Sequence, residues 1–465
     1  MSAPYDTILI GAGMSGLAAG IRLAQFDQRV LVLDRHYLWG GLNSFYKQAG
    51  RRFDVGLHAL TNYVPKGTRG RPLTKLLRQL RIKYDELRLA PQSYSAIRFP
   101  DAELRFANDF GLLREDVAAR FPSQIDAFER LIRMVDEYDA FDPPDTALGA
   151  RAVLADVFDD PLLIEMLMCP ACYYGSAREG DIDWYQFVIL FRSLFQEGFA
   201  RPEGGIKPLL DLLVNRYKSL GGELRMRTGV KRLLHEDGRC QGVELDDGTQ
   251  LMATRVLSSA GWSETMRLAG EELHEEHVDE AELGRLSFTE TMFVLDQEPK
   301  DIGFDATIVF FNDAETFDYR APEALVDPRS GVICCPNNYQ SEEPLAEGLY
   351  RLTTMASYDA WKRLDADAYA AAKPRCVEEA LAVAARYGID PRPHEVYRDG
   401  FTPLTIERFT GKRGGAVYGA SKKRLDGVTP LENLHLIGTD QGLLGVTGSM
   451  LSGISIANRY ALVPS

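Results

Sequence analysis

Apolar positions in the first 34 residues change from a strand-like to a helix-like period and back. A short apolar run predicts a strand over 6–10, helical spacing predicts a helix over 14–25, and a second run predicts a strand over 29–34. Strand, helix and strand in this order form a βαβ unit with parallel strands. The N-terminus therefore predicts an α/β domain.

Two later stretches also have strand patterns. Residues 222–258 contain four short strand-like runs with turns at EDGR and DDGT, which predicts a β-meander. Near the C-terminus, LHLIG predicts a strand that ends at Ile437. A glycine-rich loop follows it, and we expect a helix to start near Ser449.

The most aromatic stretch of the chain predicts a helix over 183–199 that is apolar on most sides. Such a helix is typically buried, so a place in the core is the main interpretation. The wall of a lipophilic tunnel and a membrane-dipping helix are the alternatives. One stripe of this helix has large side chains: Trp184, Phe187, Phe191, Leu194 and Phe195.

Composition excludes several classes of function. A net charge of -14 disfavours nucleic acid as a partner, because such binding depends on neutralising phosphates. Six cysteines in 465 residues do not suggest a disulfide scaffold, and we interpret Cys169 and Cys172 of the CPAC sequence as packing residues rather than a redox pair. With no apparent signal peptide and no apolar run of about 18 residues, we expect a cytoplasmic protein, with a peripheral position at the inner face of a membrane as the open alternative.

The turn of the βαβ unit carries a dinucleotide fingerprint. Gly11 permits a tight turn, Gly13 lets the backbone approach a pyrophosphate, and Gly16 lets the helix pack closely on the strand. The pyrophosphate then lies on the helix N-terminus, where free N–H groups favour an anion. Asp34, at the end of the second strand, is placed to accept hydrogen bonds from the ribose hydroxyls.

The loops outside the fingerprint favour FAD over NAD. Gly40 and Gly41 predict a second close approach of the backbone just after Asp34. At the other end of the chain, a helix N-terminus near Ser449 would stabilise the negative charge that a flavin ring gains on reduction. Asp440 would accept hydrogen bonds from the ribityl hydroxyls. The two ends of the chain thus predict the two ends of one cofactor.

These motifs together resemble the flavin amine oxidase superfamily, and within it the phytoene desaturase, carotenoid isomerase and retinol saturase branch. The resemblance rests on GAGMSGLAAGIRLA, GGLNSFYKQAGRRFDVGLH, RPEGGIKPLLDLL, TGVKRLLHEDGRCQGVELDDG, TPLTIERFTG with GAVYGA, and ENLHLIGTDQGLLGVTGSMLSG. It implies an α/β fold with a discontinuous, Rossmann-like FAD-binding domain of the GR2 type, a helical insertion and an α+β substrate domain. The expected bounds are 1–65, 202–265 and 400–465 for the FAD domain, 66–201 for the helical insertion, and 266–399 for the substrate domain.

The same resemblance implies which residues hold FAD. The backbone of Val230 would hold the adenine, and the loop up to Leu451 would hold the redox end. The full set of expected contacts is Gly11, Gly13, Met14, Ser15, Gly16, Asp34, Arg35, Gly40, Gly41, Leu42, Val230, Gly438, Asp440, Gly448, Ser449, Met450 and Leu451.

Three positions bear on the branch of the family. The family usually ends its second strand with Glu, where this chain has Asp34, and amine oxidases tend to carry arginine where this chain has Leu42. Leu42 disfavours an amine substrate. His58 in FDVGLH could act as a proton donor or acceptor near the flavin, or only bind backbone groups beside a glycine turn.

We therefore predict an FAD-dependent oxidoreductase that acts on a lipophilic isoprenoid or carotenoid-like polyene by hydride transfer to or from flavin N5. A flavin amine oxidase with O2 as acceptor is the alternative, and a binding module without chemistry is a third. No second GxGxxG follows a strand, so an external quinone or O2 is the expected electron partner. The direction of the reaction, whether desaturation, saturation, isomerisation or dehydroxylation, stays open.

Overall fold

The computed structural model describes residues 4–57, 59–140 and 148–462, and its strands form two seven-stranded sheets and two two-stranded sheets. The strands are β1 (Tyr5–Ile10), β2 (Val30–Leu33), β3 (Phe45–Gln48), β4 (Arg51–Asp54), β5 (Leu89–Pro91), β6 (Ser95–Phe99), β7 (Ala102–Phe106), β8 (Ala200–Pro202), β9 (Glu223–Arg225), β10 (Val230–Glu236), β11 (Arg239–Leu245), β12 (Gln250–Ser258), β13 (Ser287–Leu295), β14 (Ile308–Asn312), β15 (Val326–Cys334), β16 (Gly348–Ala356), β17 (Glu395–Phe401) and β18 (Leu434–Leu436).

The helices of the described part lie on the faces of these sheets. They are α1 (Met14–Ala24), α2 (Pro72–Leu80), α3 (Gly111–Arg120), α4 (Ile125–Glu137), α5 (Ala150–Val157), α6 (Pro161–Gly175), α7 (Trp184–Phe191), α8 (Ile206–Ser219), α9 (Trp262–Ala269), α10 (Glu271–His277), α11 (Tyr358–Lys362), α12 (Ala366–Ala384), α13 (Pro403–Thr410) and α14 (Gly445–Ile456).

The first sheet is a Rossmann-like sheet built from both ends and the middle of the chain. Its parallel part joins β1 to β2 and β12, with β9 beside β2 and β18 beside β12. Helices α1, α8 and α14 pack on one face, and α9 and the antiparallel strands β10 and β11 contribute to the core on the other. The predicted α/β fold class is confirmed.

The predicted four-stranded meander is only three-stranded. Strands β10, β11 and β12 are antiparallel neighbours, whereas β9 pairs parallel with β2. Periodicity identified all four strands but not their partners. The Tyr217 hydroxyl on α8 shares its proton between the carbonyl oxygens of Val30 on β2 and Glu223 on β9. One side chain thus links the two strands.

The second sheet has the order β17–β13–β16–β15–β14–β6–β7. Strands β6 and β7 come from the segment 66–201, and β6 runs parallel to β14. We expected the segment 66–201 to be mainly helical. It also contributes a hairpin to the sheet whose other strands lie between residues 287 and 401. Helix α12 packs on one face of this sheet, while α3 to α7 contribute to a large apolar core on the other.

Helix α7 lies in that large core. Phe187 and Phe191 have no exposed surface and Trp184 is 4% exposed. Phe187 stacks on Trp184, and Phe191 packs edge-on against Phe195 in the π-helical turn that continues the helix. Six of the eight residues of α7 are buried, and Tyr185 and Ile189 are partly buried, which agrees with the core interpretation. In the described part of the chain, the longest and most apolar helices fall short of what a bilayer span requires.

The C-terminal helix starts one turn earlier than the sequence suggested. We expected its start near Ser449, but α14 begins at Gly445. Glycine is a poor helix former, so propensity alone delays the predicted start. Close packing on α1 overrides that propensity, since a Cβ at Gly453 would lie 2.0 Å from the carbonyl oxygen of Ser15.

Candidate cofactor site

The turn between β1 and α1 is shaped by two glycines that the fold itself requires. Gly11 has φ +103°, and a Cβ there would lie 2.1 Å from Ser259 Oγ. A Cβ at Gly16 would lie 2.0 Å from the carbonyl oxygen of Gly11, so only glycine lets α1 start this close to β1. Both glycines therefore position the helix N-terminus, as predicted.

Asp34 holds the same turn from the neighbouring strand. Its Oδ2 accepts a hydrogen bond from the Ala12 N–H (2.8 Å) and its Oδ1 accepts one from the His36 N–H (2.8 Å). An ionised carboxylate has about four acceptor positions, so two remain for hydroxyl donors. The carboxylate is thus fixed in place beside the fingerprint.

A cavity of about 880 Å³ extends along the carboxyl ends of β1, β2, β12 and β18. We call it the main cavity. In doubly wound sheets this edge is where nucleotides bind. Twelve of the predicted contacts line it: Gly11, Gly13, Met14, Ser15, Asp34, Arg35, Gly40, Gly41, Leu42, Val230, Gly438 and Ser449.

Gly13 shows that the main cavity fits a dinucleotide. It has an ordinary φ of −78°, and a Cβ there would meet nothing in the protein closer than the carbonyl oxygen of Gly40 at 3.9 Å. The protein itself would therefore accept a side chain at this position. A pyrophosphate on the N-terminus of α1 would not, because the added Cβ would point into its path.

The paired glycines close the main cavity on the side of the fingerprint. The Gly40 N–H donates to the carbonyl of Ala12 at 2.9 Å, which ties the second glycine loop to the first. Gly40 and Gly41 both have positive φ, at +112° and +59°. This geometry brings backbone rather than side chains to the cavity surface.

The N-terminus of α14 carries no side-chain cap. The first N–H groups of a helix lack intrahelical acceptors, so they are available to an anion. Thr447 Oγ1 donates to the carbonyl of Thr61 (3.1 Å), which ties this helix start to the segment that follows FDVGLH. The Gly438 N–H, just after β18, donates to Ser452 Oγ (2.7 Å) and fixes the loop that leads there.

Asp440 does not line the main cavity. Its Oδ2 accepts from the Trp262 N–H (2.6 Å), and its Oδ1 accepts from the Ala420 N–H (2.9 Å). The ammonium groups of Lys412 and Lys423 lie 3.8 and 4.0 Å from the carboxylate. Burial raises the pKa of Asp440, but these two cations and the two backbone donors outweigh it and the pKa is lowered. Asp440 is thus a buried anion between segments, and the ribityl contact stays a prediction.

Asp440 and Lys412 instead line a second cavity of about 920 Å³, which we call the polar cavity. It shares Ser263, Glu264, Glu407, Lys412 and Arg413 with the main cavity. These five residues form the boundary between the two spaces.

The remaining predicted contacts also lie outside the main cavity lining. Met450 is 2% exposed and packs in the core of α1, α8 and α14, and Leu451 is partly buried against the same core. Gly448 lies in the first turn of α14, where a Cβ would lie 3.2 Å from the carbonyl carbon of Leu443 in the preceding loop. These three residues therefore lie behind the lining of the main cavity and support it.

His58 lies outside the described residues. The flanking side chains of Leu57 and Ala59 pack in the large apolar core of the second sheet. That core also contains Tyr173, Phe288 and Met355. The FDVGLH segment therefore connects the main cavity, through Val55, to an apolar interior.

Sequence reasoning missed a buried charge network that anchors FDVGLH. Asp54 accepts from Arg201 (2.7 Å) and lies at the start of α8, where the Ile206 N–H points at it. Arg351 donates to the Asp54 carbonyl (2.9 Å) and pairs with Glu290. These residues come from four distant segments, so no local motif announces them.

Comparison with known proteins agrees with this geometry. The family of flavin containing amine oxidoreductases matches residues 14–459. A solved oxidoreductase from Methanosarcina mazei has the same fold, with a TM-score of 0.68, 17% sequence identity, and coverage of 97% of this chain and 100% of that one.

Three curated relatives have related names. The phytoene desaturase (neurosporene-forming) of Rhodobacter capsulatus is 27% identical over 56% of this chain, and the match spans about half (53%) of that relative. The chloroplastic prolycopene isomerase of Arabidopsis thaliana is 22% identical, covering 98% of this chain and 82% of the relative. The all-trans-retinol 13,14-reductase of Danio rerio is 22% identical, covering 98% and 86%.

We expect a flavin dinucleotide to extend from the fingerprint toward the start of α14, of which Ser449 lines the main cavity. The family match spans residues 14–459, from the first residue of α1 to beyond the end of α14. The chain belongs to the flavin-containing amine oxidoreductase family, and its cofactor is FAD.

Proposed function

We propose that the protein is an FAD-dependent oxidoreductase whose substrate is a lipophilic isoprenoid or carotenoid-like polyene. The observation that carries the proposal is the apolar core beside FDVGLH, against which Leu57 packs, two residues beyond Val55 of the main cavity lining. FAD, when bound, supplies a two-electron hydride acceptor or donor. The protein contributes orientation and the exclusion of water.

The residues around this interior suit a polyene. Tyr173 and Phe288 lie 5.9 Å apart by their ring centroids, and Phe288 packs edge-on against Tyr418 at the same separation. Flat aromatic surfaces match a conjugated or allylic chain. The names of the three curated relatives support the same substrate class.

Leu42 weighs against the alternative, a flavin amine oxidase that uses O2. It lines the main cavity where the amine-oxidase branch tends to carry arginine.

Anaerobic mixing of the holoenzyme with candidate substrates separates the two functions. Loss of oxidised-flavin absorbance with an acyclic isoprenoid, and none with monoamines or polyamines, is the expected result for desaturation. Bleaching by amines alone would overturn the proposal.

The same experiment with pre-reduced enzyme gives the direction. A saturase or reductive dehydroxylase would reoxidise the flavin in proportion to product, because each turnover consumes two electrons. An isomerase would turn over a cis-polyene many times while the flavin stays reduced, because no net electrons are used. Inactivity of both oxidised and reduced enzyme with every polyene would contradict the substrate class.

We further propose a peripheral contact with a membrane and an external quinone or O2 as electron partner. A long polyene is barely soluble, so the protein must collect it from a lipid surface or a carrier. Turnover is expected to rise when the substrate is supplied in liposomes. Equal rates with detergent-free dispersed substrate and with liposomes would argue against the membrane contact.

A further inference from the structure

Lys412 is a buried cation at the boundary between the main cavity and the polar cavity. The whole residue is 7% exposed. It follows Gly411, which ends α13 with φ +75° and turns the chain back over the nucleotide edge of the sheet. The sequence gives no sign of this placement, because GKR at 411–413 looks like an ordinary basic turn.

The ammonium of Lys412 lies close to the dinucleotide fingerprint. A Cβ at Gly261 would lie 2.2 Å from Lys412 Nζ, so the ammonium fills the space above that glycine. Gly261 is two residues beyond Ser259, whose N–H and Oγ both donate to the carbonyl of Ile10 at 2.9 and 2.8 Å. Lys412 Nζ thus lies just beyond the carboxyl end of β12, the strand that pairs with β1.

The ammonium is incompletely satisfied by the protein. Among the described residues, Lys412 Nζ makes no hydrogen bond, and its ion pair with Asp440 is 3.8 Å long. Asp440 is shared with Lys423 and with two backbone N–H groups. Glu264 Oε2 also faces Gly261, while Glu264 Oε1 accepts from the Arg413 N–H. A buried ammonium with open donor positions is costly unless an anion supplies acceptors.

We infer that Lys412 binds the pyrophosphate of FAD and supplies the cation that Leu42 does not. The N-terminus of α1 gives the pyrophosphate backbone donors but only about half a unit of positive charge. An arginine at position 42 would add a full charge from the neighbouring loop, whereas leucine adds none. Lys412 reaches the same cavity from the C-terminal segment. The inference rests on FAD as the cofactor and is independent of the proposed substrate.

Lys231 is a matched control for this role. It also lines the main cavity, but its side chain is 59% exposed and lies 3.2 Å from Glu244. It carries the same charge on a solvated strand. Replacing Lys231 tests whether the loss of any cation at the main cavity is enough to weaken FAD binding.

The test compares FAD with riboflavin, which has the flavin ring and ribityl chain but no phosphate. Dissociation constants are measured by flavin fluorescence on the full-length chain after the cofactor has been removed. Lys412→Gln is expected to weaken FAD binding roughly 10- to 100-fold, which is the loss of a charged hydrogen bond. Riboflavin affinity is expected to stay within about threefold, the size of a neutral or screened contact. Lys231→Gln is expected to change neither ligand by more than that, and Lys412→Arg to restore part of the FAD affinity.

Lys412→Met is the second variant, because it keeps a side chain of similar length without the charge, and since it leaves Asp440 without one of its two cations, a loss of stability is expected. Melting of each apo protein is followed separately. The inference is overturned if the neutral variants lose FAD and riboflavin affinity equally, or if FAD affinity is unchanged. It also fails if neither neutral variant folds while the apo wild type does, because the pair with Asp440 would then explain the lysine.

Discussion

At the scale of single residues, the glycines of the fingerprint have two different physical roles. Gly16 is required by the fold, since a side chain there would collide with the backbone of Gly11. Gly13 is not, since its φ is ordinary and the space around it is open. The two glycines are equivalent in the sequence motif, and only the space around each of them in the structure distinguishes their roles.

Gly13→Val is therefore expected to give a folded protein without flavin. The added side chain occupies the path of the pyrophosphate but touches little of the protein. The measurement is flavin absorbance per protein together with the melting temperature of the apo form. Gly16→Val is the contrast, and it is expected to lower the melting temperature or prevent folding. Full flavin content in Gly13→Val would show that the fingerprint is only a turn.

Asp34→Ala is expected to weaken FAD retention by roughly 1.5–3 kcal/mol, the value of a charged hydrogen bond. The substitution also removes the acceptor of the Ala12 and His36 N–H groups. Asp34→Glu, which restores the residue usual in the family, separates these effects. We expect it to retain most of the FAD affinity in the same fluorescence titration. Unchanged affinity in Asp34→Ala would exclude the ribose contact.

At the scale of elements, helix α6 buries two cysteines whose spacing alone would also suit a redox pair. Helix α6 carries the CPAC sequence, and Cys169 and Cys172 are both free and have no exposed surface. Burial raises the pKa of both thiols above the ordinary value, the reverse of what a reactive thiolate needs. The geometry of α6 thus agrees with packing.

Cys169→Ser and Cys172→Ser are expected to leave flavin reduction and turnover largely intact. Each buries a hydroxyl without an assured partner, so a loss of about 1–3 kcal/mol in stability is expected. Chemical denaturation of the two variants, beside Cys→Ala at the same positions, measures that cost. Loss of turnover with unchanged stability would make the pair a redox relay.

At the scale of the whole molecule, charged groups from distant segments meet behind the site. Lys423 is fully buried between Tyr418, whose carbonyl accepts its hydrogen bond, and Asp440. Burial lowers the pKa of Lys423 to about 8, and Lys412 contributes in the same direction while Asp440 opposes it. The folded state therefore holds this proton less tightly than the unfolded chain does.

This shift predicts how stability depends on pH. Below about pH 8 the lysine is charged in both states and costs the folded state the most. Between about 8 and the ordinary value of 10.5, the folded protein loses the proton while the unfolded chain keeps it, so stability rises with pH. Urea denaturation from pH 7 to 9.5 should show the stability of the wild type rising relative to that of Lys423→Met. A constant difference between the two proteins across that range would contradict the shift.

The local parts of the site could be predicted from the sequence because their residues are neighbours in the chain. Gly11, Gly13, Gly16 and Asp34 lie within one βαβ unit, and all but Gly16 reach the main cavity directly. The start of α14 was wrong by four residues, since packing of Gly453 on α1 outweighs the low helix propensity of glycine. The partner of β9 was also wrong, because strand periodicity does not encode which edge a strand joins.

The sequence by itself determined the βαβ unit and pointed to the FAD cofactor, because backbone conformation and glycine requirements act over a few residues. Tertiary structure alone decided the partners of Asp440, the anchoring of Asp54 by Arg201 and the position of Lys412 above Gly261. Each of these depends on which distant segments pack together. A charged side chain has the same local pattern whether it is solvated or buried, and its free energy changes by several kcal/mol only when neighbouring segments remove the water.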